Sequence, residues 1–343
     1  MARFFPGMTG ATLVLMALVA LTAVACGGEE PDTAPDRVVF MAGFKAQANL
    51  PFVAAYVAQE KGYFETQGLD VEIRHASSGE HLKLLLSGDV DITTAAATSV
   101  LKRRSDPEIP VVAFVLFGQR GQQAYVALSD SGMSTPDDWE GKTFGYKTSI
   151  PPDYLAVLKS SGVDRSRITE VNAGFDPRIL TEGRVDVLAV FNSNEPDTIR
   201  RLGFEVTSWE PEDFGVPNLG LTYIATEQTV GERGDLVQRF LKATLKGVEF
   251  ALANVEETLD IVLEYAPGAD RDHQRFMLET ELADARSDLT GQNGIGWMTD
   301  GQWMALYDYL LEFDALPNSF DYKEAFTDSF LSGVYDEGEL SWP

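Results

Sequence analysis

The strongest constraint on what this chain can fold into is an alternation. From Val38 onward short apolar runs and helical patterns take turns, and the series restarts once, after the turn-rich stretch SDSGMSTPDDWEGK at 129–142. In the first series VVFMAG (38–43), LDVEIRH (69–75), VDITTA (90–95), PVVAFVLFG (110–118) and AYVALS (124–129) read as strands. PFVAAYVAQEKGYF (51–64), HLKLLLSG (81–88) and TSVLKRR (98–104) read as helices between them, with Pro51 suited to a first helical turn. The second series repeats the theme with strands at 143–147, 168–173, 185–191 and 204–209 and helices at 152–162, 176–183 and 195–203. LGLTYIATE (219–227) reads as a strand returning to the first set, and residues 235–330 are mainly helical. Alternating strands and helices predict an α/β fold with parallel sheets and helices on their faces. About 305 residues follow the N-terminal segment, more than one ordinary core holds, so two lobes are expected. The spacing assigns 38–128 plus 223–343 to the first lobe and 129–222 to the second, with hinge crossings near 128–142 and 215–222 that close the lobes on a ligand.

The N-terminus carries a different signal. Residues 1–25 hold one charge, Arg3, and the apolar run ATLVLMALVALTAV (11–24) is shorter than the ~20 residues a comfortable membrane span needs. A short apolar core behind a basic start, ending in small residues, is a secretory signal. The run ends at Ala23-Val24-Ala25-Cys26, followed by Gly27-Gly28. This resembles a bacterial lipoprotein processing site, with Ala23 where such sites usually carry Leu. Cys26 is the only cysteine in the chain, so it makes no internal disulfide, and a plain secretory signal leaves it without a role. The expectation is a lipoprotein signal peptide over 1–25, a lipid-modified Cys26, and a polar tether over 26–37 that holds the folded body outside the cytoplasm at the cell membrane.

Charge narrows the partners. The chain has 27 basic against 53 acidic residues, a formal net charge of -26. Nucleic-acid binding needs a basic surface, and adsorption to anionic lipid needs basic clusters. Neither is present, and the charge reads as solubility.

One long motif carries a family likeness. Pro51-Phe52-Val53-Ala54-Ala55-Tyr56-Val57-Ala58-Gln59-Glu60-Lys61-Gly62-Tyr63-Phe64, then Gly68-Leu69-Asp70-Val71-Glu72, resembles the hallmark of the NMT1/THI5-like solute-binding proteins. Gly88-Asp89-Val90-Asp91, Gly183-Arg184-Val185-Asp186 and Gly294-Ile295-Gly296-Trp297-Met298-Thr299 follow in the family's order. The resemblance implies a two-lobe periplasmic-binding-protein-like fold of type II, a small-molecule ligand in the interlobe cleft, and an ABC transporter permease as partner. Family cargoes include alkanesulfonates, thiamine pyrimidine precursors and riboflavin, and one branch makes the thiamine pyrimidine instead.

Ligands of open α/β sheets sit beyond the carboxyl ends of the strands, so the residues just after each strand are the site candidates. The first lobe offers Phe44, Asn49, Ser77, Ser78, Thr94, Thr98 and Gln119. The second offers Thr148, Ser149, Phe175, Asp176, Phe191, Asn192, Asn194 and Glu195, and the returning strand offers Tyr223. Rings that stack and amides that bind an edge suit a flat heteroaromatic molecule. Each feature also has a structural reading: the phenylalanines as core, Ser77-Ser78-Gly79 as a helix cap, Asn192 to Pro196 as a strand-to-helix turn. Lys45 and Arg120 also stand at strand ends, facing either an anion or solvent.

A catalytic role finds little support. Besides Cys26, the histidines are His75, His81 and His273, none in an H-x-x-x-H or H-x-x-E-H pattern, and no G-x-S-x-G or P-loop is present. No cofactor or metal is expected. An alkanesulfonate would want convergent cations, which the candidate set lacks, so a neutral ring system is favoured. Riboflavin comes first, for a cleft that stacks from both lobes, and a thiamine pyrimidine precursor second.

Overall fold

A computed structural model of the chain describes residues 34–77, 79–106 and 109–343. Its strands in chain order include β1 (Asp36–Ala42), β2 (Leu69–His75), β3 (Ile92–Ala96), β4 (Val111–Leu116), β5 (Gln123–Leu128), β6 (Thr143–Tyr146), β7 (Thr169–Asn172), β8 (Val187–Phe191), β9 (Val206–Trp209) and β10 (Leu221–Thr226). They form two five-stranded sheets, ordered β2-β1-β3-β10-β4 and β7-β6-β8-β5-β9. The two share one plan. A parallel trio, β2-β1-β3 or β7-β6-β8, is extended by one antiparallel strand, β10 or β5, and then by a last strand.

Both β2 and β4 are edge strands, and they differ in what covers them. LDVEIRH of β2 is partly exposed, while VVAFVL of β4 is buried throughout, its free edge covered where Thr327 N donates to the Ala113 oxygen and Leu116 N to the Gly296 oxygen. In the second sheet side chains alternate between two cores. Tyr125 and Ala127 of β5 join Val187 and Ala189 of β8 on the face shared with the main core, and Ala124, Val126, Leu188 and Val190 pack on the other. The hallmark helix Leu50–Glu60 is buried from Leu50 to Ala58 because the long helix Gly234–Ala253 lies directly on it. Gly247 makes that approach possible, since a Cβ there would stand 2.4 Å from the Ala54 carbonyl oxygen.

Two expectations need correction. The sheets are mixed, because β5 and β10 are each followed back into a sheet from its far side and run antiparallel. The sequence pattern puts AYVALS with the first lobe, yet β5 pairs with β8 and β9 of the second sheet. The chain therefore leaves the first sheet between β4 and β5, at 117–122, and returns between β9 and β10, at 210–220. The stretch at 129–142 only connects β5 to β6 through two short 3-10 turns, so its turn chemistry marks a loop within one sheet. The real crossings are marked by glycines. Gly118 and Gly220 touch where the two crossings run side by side, and a Cβ on either would stand 2.8 Å from the other's Cα. Gly220 N donates to the Gly118 oxygen at 2.9 Å.

Candidate functional site

The carboxyl ends of the parallel strands in both sheets border a cleft of about 850 Å³. An adjoining compartment of about 420 Å³ shares Ala96, Ser99, Gln122, Phe175 and Phe191 with it. Phe44 follows β1, Phe175 follows β7 and Phe191 ends β8, so both walls contribute a ring. These rings are 49 %, 66 % and 38 % exposed, whereas Phe40, Phe114 and Phe117 of the first sheet are fully buried. The three are therefore cleft lining and not core.

Behind the second-lobe rings sits a cation. Lys147 Nζ lies 3.4 Å from the centre of the Phe191 ring and 5.9 Å from that of Phe175, and 2.7 Å from Glu195 Oε1. Burial pushes the lysine below its ordinary range, with Glu195 opposing. The other oxygen of Glu195 accepts the Phe191 backbone N–H at 2.7 Å. Glu195 lines the cleft, but both its oxygens are engaged in fixing the strand-to-helix turn.

The helix Arg271–Asp284 ties the two lobes together beside the cleft. His273 Nδ1 stands 2.7 Å from Asp197 Oδ2 and its Nε2 stands 3.0 Å from Asn194 Oδ1, on the helix that begins at Glu195. One helical face further on, buried Glu281 accepts from Asn49 Nδ2 at 2.6 Å, Leu50 N at 3.2 Å, Ser193 Oγ at 3.2 Å and Gln122 Nε2. Those donors come from the first lobe, the second lobe and the first crossing. Burial pushes the Glu281 carboxyl up, and the donors oppose it.

Asp284 ends the same helix. Its backbone oxygen accepts from Gln119 N and Arg120 N in the first crossing, and its side chain accepts from Asn192 Nδ2 at 2.9 Å. Burial pushes this carboxyl up to about 7, with Asn192 opposing, Glu281 and Glu210 adding to the rise, and Arg120 opposing. An acid whose folded pKa is raised holds its proton in the fold and loses it on unfolding, so it weakens stability as pH climbs from about 4 to about 7. Asp284→Asn is expected to flatten that fall and to raise stability at pH 8 by about 1–2 kcal/mol, a value discounted for partial exposure. Urea unfolding of both proteins at pH 5 and pH 8 checks this. An equal loss of stability across that range in both proteins would contradict it.

The expected site residues divide. Phe44, Asn49, Thr94, Phe175, Phe191, Asn194 and Glu195 line the main cleft, and Thr98, Thr148 and Ser149 line the adjoining compartment. Gln119 lies elsewhere, donating to the Leu116 and Trp297 oxygens and accepting from Gln302 inside the first lobe. Tyr223 is fully buried among Phe40, Phe114, Phe117 and Phe240 and donates to the Pro51 oxygen. Asn192 is buried against Asp284, and Ser77 donates from its N and Oγ to the Glu80 side chain and does not cap the helix, whose N-cap is Glu80. Asp176 is paired with Arg178, which holds its carboxyl down at about 2. Arg120 pairs with Glu210 and Asp213 at the crossing, while Lys45 does line the cleft. Ser78 and Cys26 lie outside the described residues.

Sequence reasoning missed Ser99, Arg103, Gln122, Ser193, His273, Gln274 and Met277 among the lining residues. Ser99 and Arg103 carried a usable signal, being four apart and so on one helical face. The residues from the helix Arg271–Asp284 carried none, because nothing local says that a late helix closes the cleft.

Comparison with known proteins agrees with this geometry. The NMT1/THI5 like family matches residues 49–258. The riboflavin-binding protein RibY of Chloroflexus aurantiacus is 30 % identical, over 83 % of this chain and 84 % of that one. The formylaminopyrimidine-binding protein of Halalkalibacterium halodurans is 25 % identical, over 87 % of this chain and 93 % of that one. In fold, the periplasmic aliphatic sulphonate binding protein SsuA of Escherichia coli superposes with a TM-score of 0.65 at 13 % identity, covering 84 % of this chain and 91 % of that one. Motif, two-sheet plan and sequence relatives together place the chain in the NMT1/THI5-like family.

Proposed function

We propose that the protein is a solute-binding lipoprotein that captures a flat heteroaromatic molecule, riboflavin in the first place, and delivers it to an ABC importer. The observation that carries this reading is the set of exposed rings, Phe44, Phe175 and Phe191, facing one cleft from both lobes. Exposed phenylalanines cost free energy in water and recover it when a planar ligand covers them. A tricyclic ring system can meet both walls at once, and a cleft of about 850 Å³ has room for it and its side chain. The relative named for riboflavin supports the choice.

A formylaminopyrimidine remains the second reading, supported by the relative of that name. Its amino edge would favour a free carboxylate. Glu195 is the only Asp or Glu lining the main cleft among the described residues, and Lys147 and the Phe191 N–H already hold it. Gln122, Asn194 and Gln274 each have one amide group held, by Glu281, His273 and Ala48 N, which leaves Gln122 Oε1, Asn194 Nδ2 and Gln274 Nε2 to meet the alternating carbonyl and N–H edge of a flavin. Among the described residues no helix is long and apolar enough to cross a membrane. Attachment in this reading falls to an acyl group on Cys26.

One purification tests the reading. Protein extracted with detergent from its native membranes is expected to yield an acylated peptide beginning at Cys26 and to release a yellow, fluorescent flavin on denaturation. An unmodified peptide spanning Ala25 to Gly27 as the main species would overturn the anchor. A colourless pyrimidine as the released molecule would overturn the cargo.

A further inference from the structure

We propose that the first-lobe wall of the cleft contains an anion subsite built on Arg103, with His81 and Lys45 beside it, which takes a phosphate ester on the ligand. The inference rests on the heteroaromatic reading above and extends it from a neutral vitamin to its phosphorylated form.

Acidic residues outnumber basic ones by 53 to 27, so a guanidinium on this protein readily finds a carboxylate. Arg104 does so twice, with Glu227 and Glu324 at 2.7 Å each. Its neighbour Arg103 makes no side-chain hydrogen bond or ion pair among the described residues; the Nε of both arginines is buried without an acceptor, but only Arg104 has carboxylates on its other nitrogens. Arg103 stands in the last turn of the helix Ala97–Arg104 and lines the main cleft with Ser99, one turn earlier. Removal from water is the one influence that depresses it, and no carboxylate among the described residues offsets that. A half-buried cation held in a cleft without a counter-charge is costly unless something else supplies the charge.

The neighbours fit the same partner. His81 lines the cleft from the start of its helix, and its Nδ1 is buried with no partner. Burial first, and then Arg103, keep its ring below the usual histidine range, while Glu80 opposes. A neutral ring can donate one hydrogen bond to an oxyanion. Lys45 is exposed on the same wall, with the Phe44 ring 5.8 Å away. The carboxylate of the opposite wall, Glu195, is neutralised by Lys147. The first-lobe wall is thus locally cationic on a strongly acidic protein. Guanidinium binds phosphate through two parallel charge-assisted hydrogen bonds, which a neutral ring edge cannot match.

Calorimetric titration with riboflavin and with flavin mononucleotide, at matched ionic strength, tests the subsite. The wild-type protein is expected to bind the phosphorylated flavin about tenfold more tightly, and added salt should erode the difference. Arg103→Gln should bring the ratio of the two affinities close to one, and Arg103→Lys should restore part of it. Equal or weaker binding of the phosphorylated flavin by the wild type, or a ratio unchanged in Arg103→Gln, would overturn the inference and leave the riboflavin reading intact. If neither flavin binds, the cargo reading has failed, and inorganic phosphate becomes the probe. A thermal shift with phosphate that disappears in Arg103→Gln supports the subsite, and no shift overturns it.

Discussion

Replacing Glu281 by alanine is expected to destabilise the protein by about 3–5 kcal/mol, because it strips a buried acceptor from four donors at once. Asn49 Nδ2, Leu50 N, Gln122 Nε2 and Ser193 Oγ all end on this carboxylate, and it is buried within the structure. Water cannot replace the lost acceptor freely, so each orphaned donor carries its own desolvation cost. Because the donors belong to both lobes and a crossing, the damage extends beyond local stability. Asn49, Gln122 and Ser193 also line the cleft, so ligand affinity should fall with the fold. Glu281→Gln keeps the volume and one acceptor oxygen, and it should lie between wild type and alanine. Urea unfolding of the three proteins measures the order. A loss below about 1 kcal/mol for the alanine variant would mean that the knot is not what joins the lobes.

The second large effect concerns the ligand. Phe191→Ala is expected to weaken riboflavin binding by about 1–3 kcal/mol, roughly fivefold to 150-fold, the range found when a ring that stacks on a base is removed. The ring is placed for it: it ends β8, faces the cleft, and has Lys147 3.4 Å from its centre, which fixes its position from behind. Stability should change little, since the ring is already partly exposed. Phe204, equally exposed but outside both compartments, provides the control, and Phe204→Ala should leave affinity where it was. Fluorescence quenching of riboflavin on titration with each variant reads the difference. Equal loss in both variants would point to a general destabilisation and remove Phe191 from the site.

Much of the fold was legible in the sequence because its elements are locally coded. LDVEIRH carries the period-two sequence pattern of a strand, and its observed bounds equal the expected 69–75. Pro51 stands in the first turn of its helix, where its missing N–H costs nothing. What failed was long-range placement. AYVALS is apolar on both faces and would suit either sheet, and only pairing with β8 and β9 assigns it to the second. The crossing at 117–122 was hidden because Gly118 reads as the end of a strand until Gly220 is seen against it.

The site was legible to the same degree. Rings directly after β1, β7 and β8 could be found by the strand-end rule, since the backbone turns there towards the cleft. Tyr223 defeats the rule because it lies within β10 and not beyond a strand end, with its side chain in the core beneath the hallmark helix, while Leu221 at the start of the strand reaches the cleft. Three consecutive cations, Lys102, Arg103 and Arg104, show the limit of local reasoning. They diverge to the adjoining compartment, the main cleft and two surface carboxylates, and one residue of helical rotation decides which.

The most direct test is a side-by-side calorimetric titration of ligand-free protein with riboflavin, formylaminopyrimidine and an alkanesulfonate. Riboflavin is expected to bind with a dissociation constant of about 1 µM or lower and a negative heat-capacity change from buried ring surface, with the other two at least roughly tenfold weaker. Tight binding of the pyrimidine or the sulfonate, with no heat from riboflavin, would contradict it.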